Sequence, residues 1–106
     1  MTGIKLIEAE RQRQVAVEGW TPDHDDEHLK HELVLAAICY ATPERLREYP
    51  PQGGPPAIWP WDPEYWLPSR TAGGNASGRI HELVKAGALI AAEIDRLNRE
   101  LNRSGA

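Results

Sequence analysis

The chain has 106 residues, a single cysteine, no phenylalanine and a formal net charge of −4. That length allows one domain with a modest core, so a single helical domain spanning 1–106 is expected. The acidic balance argues against DNA as a partner, and no apolar stretch approaches the ~20 residues that cross a bilayer.

Residues 3–18 read as a first helix. Ile4, Ile7, Arg11, Val15 and Glu18 run along one side, with Leu6, Glu10, Arg13 and Val17 beside it. Gly19 supplies the stop. Arg11 and Arg13 are two apart and point to different sides, so either one of them faces inward or both face solvent beside acidic neighbours at i,i+4. An inward arginine needs an acidic partner or an anionic ligand. Trp20 to Asp26 is a turn-rich connection, with Thr21 before Pro22, and Asp25 or Asp26, as candidate N-caps.

A second helix is expected over about 25–41, on Leu29, Leu33, Ala36, Ala37 and Tyr40. Cys39 sits in this apolar run as a buried small residue. It cannot form an internal disulfide, which suits a reducing cytoplasm. The N-terminus shows no signal-peptide h-region, so a cytoplasmic location is expected. Thr42-Pro43 suggests a further short helix over 43–48.

The segment 49–78 holds seven prolines and five glycines, and reads as a long loop. Three of the chain's four tryptophans, Trp59, Trp61 and Trp66, fall inside it. Either the rings cap the open end of a helical core, or some of them stack a ligand. Arg70 to Gly78 is the stretch expected to be mobile. Gly73 to Gly78 opens a helix whose N–H groups suit phosphate, with Arg79 just beyond.

The last helix is expected over 78–101, with Ser77 as a cap. Ile80, Leu83, Gly87, Ile90, Ile94, Leu97 and Leu101 repeat at 3-4-3-4-3-4 spacing. Ala86, Gly87, Ala88, Ala91 and Ala92 make its middle thin, for packing on the other helices or for a symmetric contact between chains. Lys85 is read as falling within this apolar register, where it either snorkels to solvent or binds an anion. The expected fold is therefore all-α, with three main helices and the long Pro/Gly/Trp-rich loop between the second and the last.

The densest ionisable row is His24, Asp25, Asp26, Glu27 and His28, followed by His31 and Glu32. Its carboxylates cap a helix, or the row lines a pocket, or it holds a cation. The HExxH pattern is absent, and no closed four-ligand set appears, so no tightly held zinc and no cofactor are expected. The His24-Asp25 pair is similar to the dyad of HD-type metal phosphohydrolases, whose further ligands would have to come from His81 and Asp95. An all-α nucleotide pyrophosphohydrolase needs ExxE and ExxD spacings that Glu8, Glu10, Glu93 and Asp95 do not supply.

The combination Glu10-Arg-Gln-Arg-Gln14, Glu18-Gly-Trp-Thr-Pro, His24-Asp-Asp-Glu-His28, Trp59-Pro-Trp61, Trp66-Leu-Pro68 and Lys85 to Ile94 resembles a family of small proteins encoded by tailed phages and prophages. The resemblance covers nearly the whole chain. It implies an accessory role in the host cytoplasm and no particular reaction. Arg13, Gly19-Trp20 and Asp25-Asp26 are also similar to the ryanodine-receptor repeat domain, over a third of the chain; the repeat's Leu-Val-Pro-Tyr stretch is missing.

The expected function is binding of an anionic nucleotide-like molecule, sequestering a host defence signal, by a homo-oligomer. Trp20, Trp59, Trp61 and Trp66 would stack it. Arg11, Arg13, Arg79 and Lys85 would meet its charge, and His24, Asp25, Asp26 and His28 would line the cleft. No catalytic residue is assigned. The alternatives are a metal-dependent nucleotide hydrolase and a protein–protein module docking through the tryptophan loop.

Overall fold

A computed structural model describes residues 1–27, 30–69 and 75–105. It is all-α, without strands among the described residues. Helix α1 spans Gly3–Ala16, α2 Pro22–Asp25, α3 Glu32–Ala41 and α4 Ala76–Arg103. Single 3-10 turns occur at Glu44–Leu46 and Pro63–Tyr65. No described helix is long and apolar enough to cross a membrane.

Helix α1 starts on Thr2, whose hydroxyl accepts from the Lys5 N–H at 3.3 Å. It ends two residues before the expected boundary. Gly19 carries the chain through φ +76°, a conformation that costs glycine little. That reversal lets the Trp20 N–H reach back to the Gln14 carbonyl at 3.0 Å.

The expected second helix over 25–41 is divided. Thr21 caps and Pro22 opens the single turn of α2, as their pairing suggests. The chain then breaks, and α3 begins only at Glu32, after His31 at φ +67°. Long-range ion pairs explain why no helix continues from Asp25. Asp25 is drawn to Arg11 of α1, while Asp26 is drawn to Arg99 and Arg103 of α4. His28 lies outside the described residues, so its expected alignment with His24 does too. Thr42 does not cap a helix either: its hydroxyl donates to the Ile38 carbonyl, and only the short 3-10 turn follows.

The core forms where α3 lies on α4. Leu33, Ala36, Ala37, Cys39 and Tyr40 meet Ala86, Leu89 and Ala92, with Trp59 closing one end. The thin alanine face of α4 is thus used inside the chain, where small side chains let the two helices approach closely. Helix α4 is 28 residues, or ~42 Å at 1.5 Å per residue. Asn75, not Ser77, caps it, accepting from the Gly78 N–H at 2.8 Å.

The regular 3-4 stripe of α4 does not face the core. Ile80, Leu83, Ile90, Ile94, Leu97 and Leu101 are each between 43% and 54% exposed. Glu82, Glu93 and Arg96 are buried instead. Ion pairs make that inversion tolerable. Glu82 meets Arg47 at 2.9 Å and Arg79 at 3.3 Å, and Glu93 meets Arg96 at 2.6 Å. Helix α1 crosses α4 at Gly87, where a Cβ would fall 2.5 Å from Ile7 Cδ1. Glycine is what permits that crossing.

Candidate functional site

The proline-rich loop folds back over the α3–α4 core and is tied down along its length. Ala57 N–H donates to the Glu48 carbonyl at 2.8 Å. Leu67 N–H donates to the Tyr40 hydroxyl at 3.1 Å, and Ser69 N–H to Glu82 Oε2 at 3.1 Å. Lys85 Nζ donates to the Leu67 carbonyl at 2.9 Å and lies 5.2 Å from the Tyr40 ring centroid. Burial pushes the Lys85 ammonium below its ordinary value. Burial likewise raises the Tyr40 hydroxyl, to about 12.

These ties assemble a continuous series of rings from the core to the surface. Tyr40 meets Trp66 at 4.8 Å between centroids, Trp66 meets Trp59 at 5.1 Å, and Trp59 meets Trp61 edge-on at 5.5 Å. Trp61 then meets Trp20 at 6.0 Å, and Trp20 lies parallel to His24 at 6.3 Å. Such edge-to-face and offset contacts add ~0.5–1.5 kcal/mol each beyond area burial. The Trp20 backbone is held at both ends, its N–H by Gln14 and its carbonyl by Arg11 Nη1 at 3.3 Å.

At its outer end the series opens into a cleft of about 540 Å³, lined by Glu18, Trp20, His24, Pro60, Trp61, Asp62 and Tyr65. A separate recess of about 60 Å³ shares Glu18, Trp20, Trp61 and Tyr65 with the cleft and is also lined by Gln14, Tyr40, Lys85 and Leu89. Gln14 is almost fully buried. Its Nε2 donates to Glu10 at 3.3 Å, and its Oε1 has no protein partner. The carbonyl oxygen is thus an unmet acceptor inside the protein, closed to solvent.

The charge around the cleft is negative. Arg11 is consumed by Asp25, and Arg13 by Glu10 at 2.8 Å and Glu18 at 2.9 Å. Burial would raise the Glu10 carboxyl, but its bonds to Arg13 and Gln14 hold it below its ordinary value. Four carboxylates, those of Glu10, Glu18, Asp25 and Asp62, thus surround two arginines whose donors already point at carboxylates. The outer lining contains neither lysine nor arginine.

Of the residues singled out in the sequence, the structure brings Trp20, His24 and Trp61 onto the outer cleft, and Arg13 and Lys85 onto the recess. It places the other described ones elsewhere, and His28 lies outside the described residues. Trp59 and Trp66 belong to the core cluster, with Arg47 over the Trp66 ring at 5.1 Å. Arg79 donates to the carbonyls of Tyr40, Ala41 and Thr42, closing the C-terminus of α3. Asp25 and Asp26 turn towards different helices. No group of three His, Cys, Asp or Glu side chains converges among the described residues.

Tyr65, Asp62, Glu18 and Gln14 complete the lining without having been singled out. Tyr65 and Asp62 lie within the tryptophan run, which is the one signal that pointed to them. Gln14 carries none, because its burial depends on where the loop lands. No family model, curated protein or solved structure matches the chain.

Proposed function

We propose that this chain is a small-molecule binding protein whose aromatic cleft takes an organic cation, with a quaternary ammonium or flat protonated head. The observation that carries this reading is the composition of the lining: Trp20, Trp61 and Tyr65 beside Glu18 and Asp62, with no lysine or arginine in the outer cleft. Aromatic faces attract cations through their quadrupoles, by ~2 kcal/mol or more when desolvated. The Asp62 carboxylate at the rim, which has no ion pair among the described residues, adds to that attraction.

Binding of a nucleotide-like host signal, the use expected from the aromatic and basic residues of the sequence, draws support from the stacking surface. A base would lie on Trp20 and Trp61. Its phosphates would have to stay clear of Glu18 and Asp62, so a neutral nucleoside or a protonated base suits the lining better than a triphosphate.

Tryptophan fluorescence titration separates the two ligands. Choline, trimethyl-lysine and an N-methylpyridinium are expected to bind, and ATP is not. Trp20→Ala or Trp61→Ala should weaken cation binding roughly tenfold or more. Binding of ATP with no response to the cations would replace this reading with the nucleotide one. Silence with every probe, in a folded sample, would remove the cleft as a ligand site.

A further inference from the structure

The apolar stripe of α4 lies on the other side of that helix from Lys85 and Leu89, which line the recess. Ile80, Leu83, Ile90, Ile94, Leu97 and Leu101 stand about half exposed at alternating spacings of three and four, and the gap at Gly87 is filled by the Ile7 side chain. The stripe is therefore continuous over ~32 Å. Spacing of this kind, averaging 3.5 residues, is what keeps one helix in register along another. Among the described residues α3 lies on the Ala86–Leu89–Ala92 face, and α1 touches the stripe at Gly87 through Ile7, which leaves the rest of the stripe about half exposed with no helix running along it.

Size supports an absent neighbour of substantial area. The chain exposes 6934 Å², whereas a folded monomer of its mass exposes about 5900 Å². The difference, roughly 1000 Å², is of the order of the ~800 Å² that each partner buries in a standard interface. Its radius of gyration is 14.5 Å, against about 13 Å for a compact chain of this length.

Charge selects the occupant and its direction. Arg79, which shares Glu82 with Arg47, and Glu100, which shares Arg96 with Glu93, flank the same side of the stripe and leave a net positive charge at one end and a net negative charge at the other. An antiparallel copy of α4 would set Arg79 of each chain against Glu100 of the other, and would pack Ile80 against Leu97 and Leu83 against Ile94. A parallel copy would bring like charges to the same level. We propose that the exposed stripe of α4 docks a second copy of this chain, α4 against α4, antiparallel.

The test uses the full chain in sedimentation equilibrium at roughly 100 µM, well above a micromolar Kd. Twice the 11.8 kDa chain mass is expected. Ile94→Glu combined with Leu97→Glu should give the monomer with its helical circular dichroism intact, since both side chains are about half exposed. Leu83→Cys with Ile94→Cys should yield a covalent dimer on oxidation, and Leu83→Cys alone should not. A wild-type monomer at that concentration overturns the proposal, and so leaves the stripe to a different protein or a lipid surface. An oligomer indifferent to the glutamates, or efficient cross-linking through Leu83→Cys alone, overturns it equally.

Discussion

At the scale of single residues, the core of this protein is held by charges as much as by hydrocarbon. The Arg47 and Glu82 side chains are 2% and 0% exposed, and each has its hydrogen-bonding capacity met. Arg47 Nε donates to the Cys39 carbonyl at 2.9 Å, while Glu82 also receives Arg79 and the Ser69 N–H. Glu82→Ala would strand a buried guanidinium and release the loop. Removing one member of such a pair costs about 3–5 kcal/mol, which urea denaturation should register as a large drop in midpoint. Tyr40 carries a different sensitivity. Its hydroxyl is raised by burial from 10.0 to about 12, so the neutral form is favoured in the folded state. The stability this contributes is complete below pH 10 and is lost as pH rises towards 12, where the folded state ionises too. The loss amounts to about 2–3 kcal/mol. Tyr40→Phe cannot ionise, so denaturation followed from pH 9 to 12 should show a shallower decline in the variant.

At the scale of elements, helix boundaries follow caps, and helix faces follow neighbours. Asn75 starts α4 because its side chain reaches the Gly78 N–H. Asn75→Ala should lower stability by about 1 kcal/mol, measured by chemical denaturation, whereas Ser77→Ala should change it by less. The face that α4 buries is set by α3, whose Ala36 and Ala37 admit a close approach. Periodicity alone favours the stronger apolar stripe. It could not reveal that Glu82, Glu93 and Arg96 each find an ionic partner and so become admissible inside.

At the scale of the whole molecule, the four tryptophans divide between two tasks. Trp59 is buried among Tyr40, Trp61 and Trp66, while Trp20 and Trp61 reach the cleft. Trp59→Ala is expected to cost about 3–5 kcal/mol, as other large-to-small core substitutions do. Trp61→Ala should cost less and act chiefly on ligand binding. Thermal melts paired with choline titration would distinguish them; equal destabilisation by both would show that the outer rings are as structural as the inner one.

The all-α class, the Thr21-Pro22 start, the Gly19 reversal and the three main helices were legible in the residues, because each depends on local backbone preferences or on short-range periodicity. That Arg11 and Arg13 cannot share a side was legible too, but an inward and a solvent-facing placement both stayed open, and the structure turns Arg11 inward. Its partner was not legible: Asp25 lies fourteen residues on and reaches Arg11 only after the chain has turned. The break before α3, the inward face of α4, the landing of the tryptophan loop and the unpartnered Gln14 oxygen were decided by tertiary contacts. Those contacts join residues distant in sequence, and one ion pair such as Arg47–Glu82, spanning thirty-five positions, leaves no periodic mark on the chain.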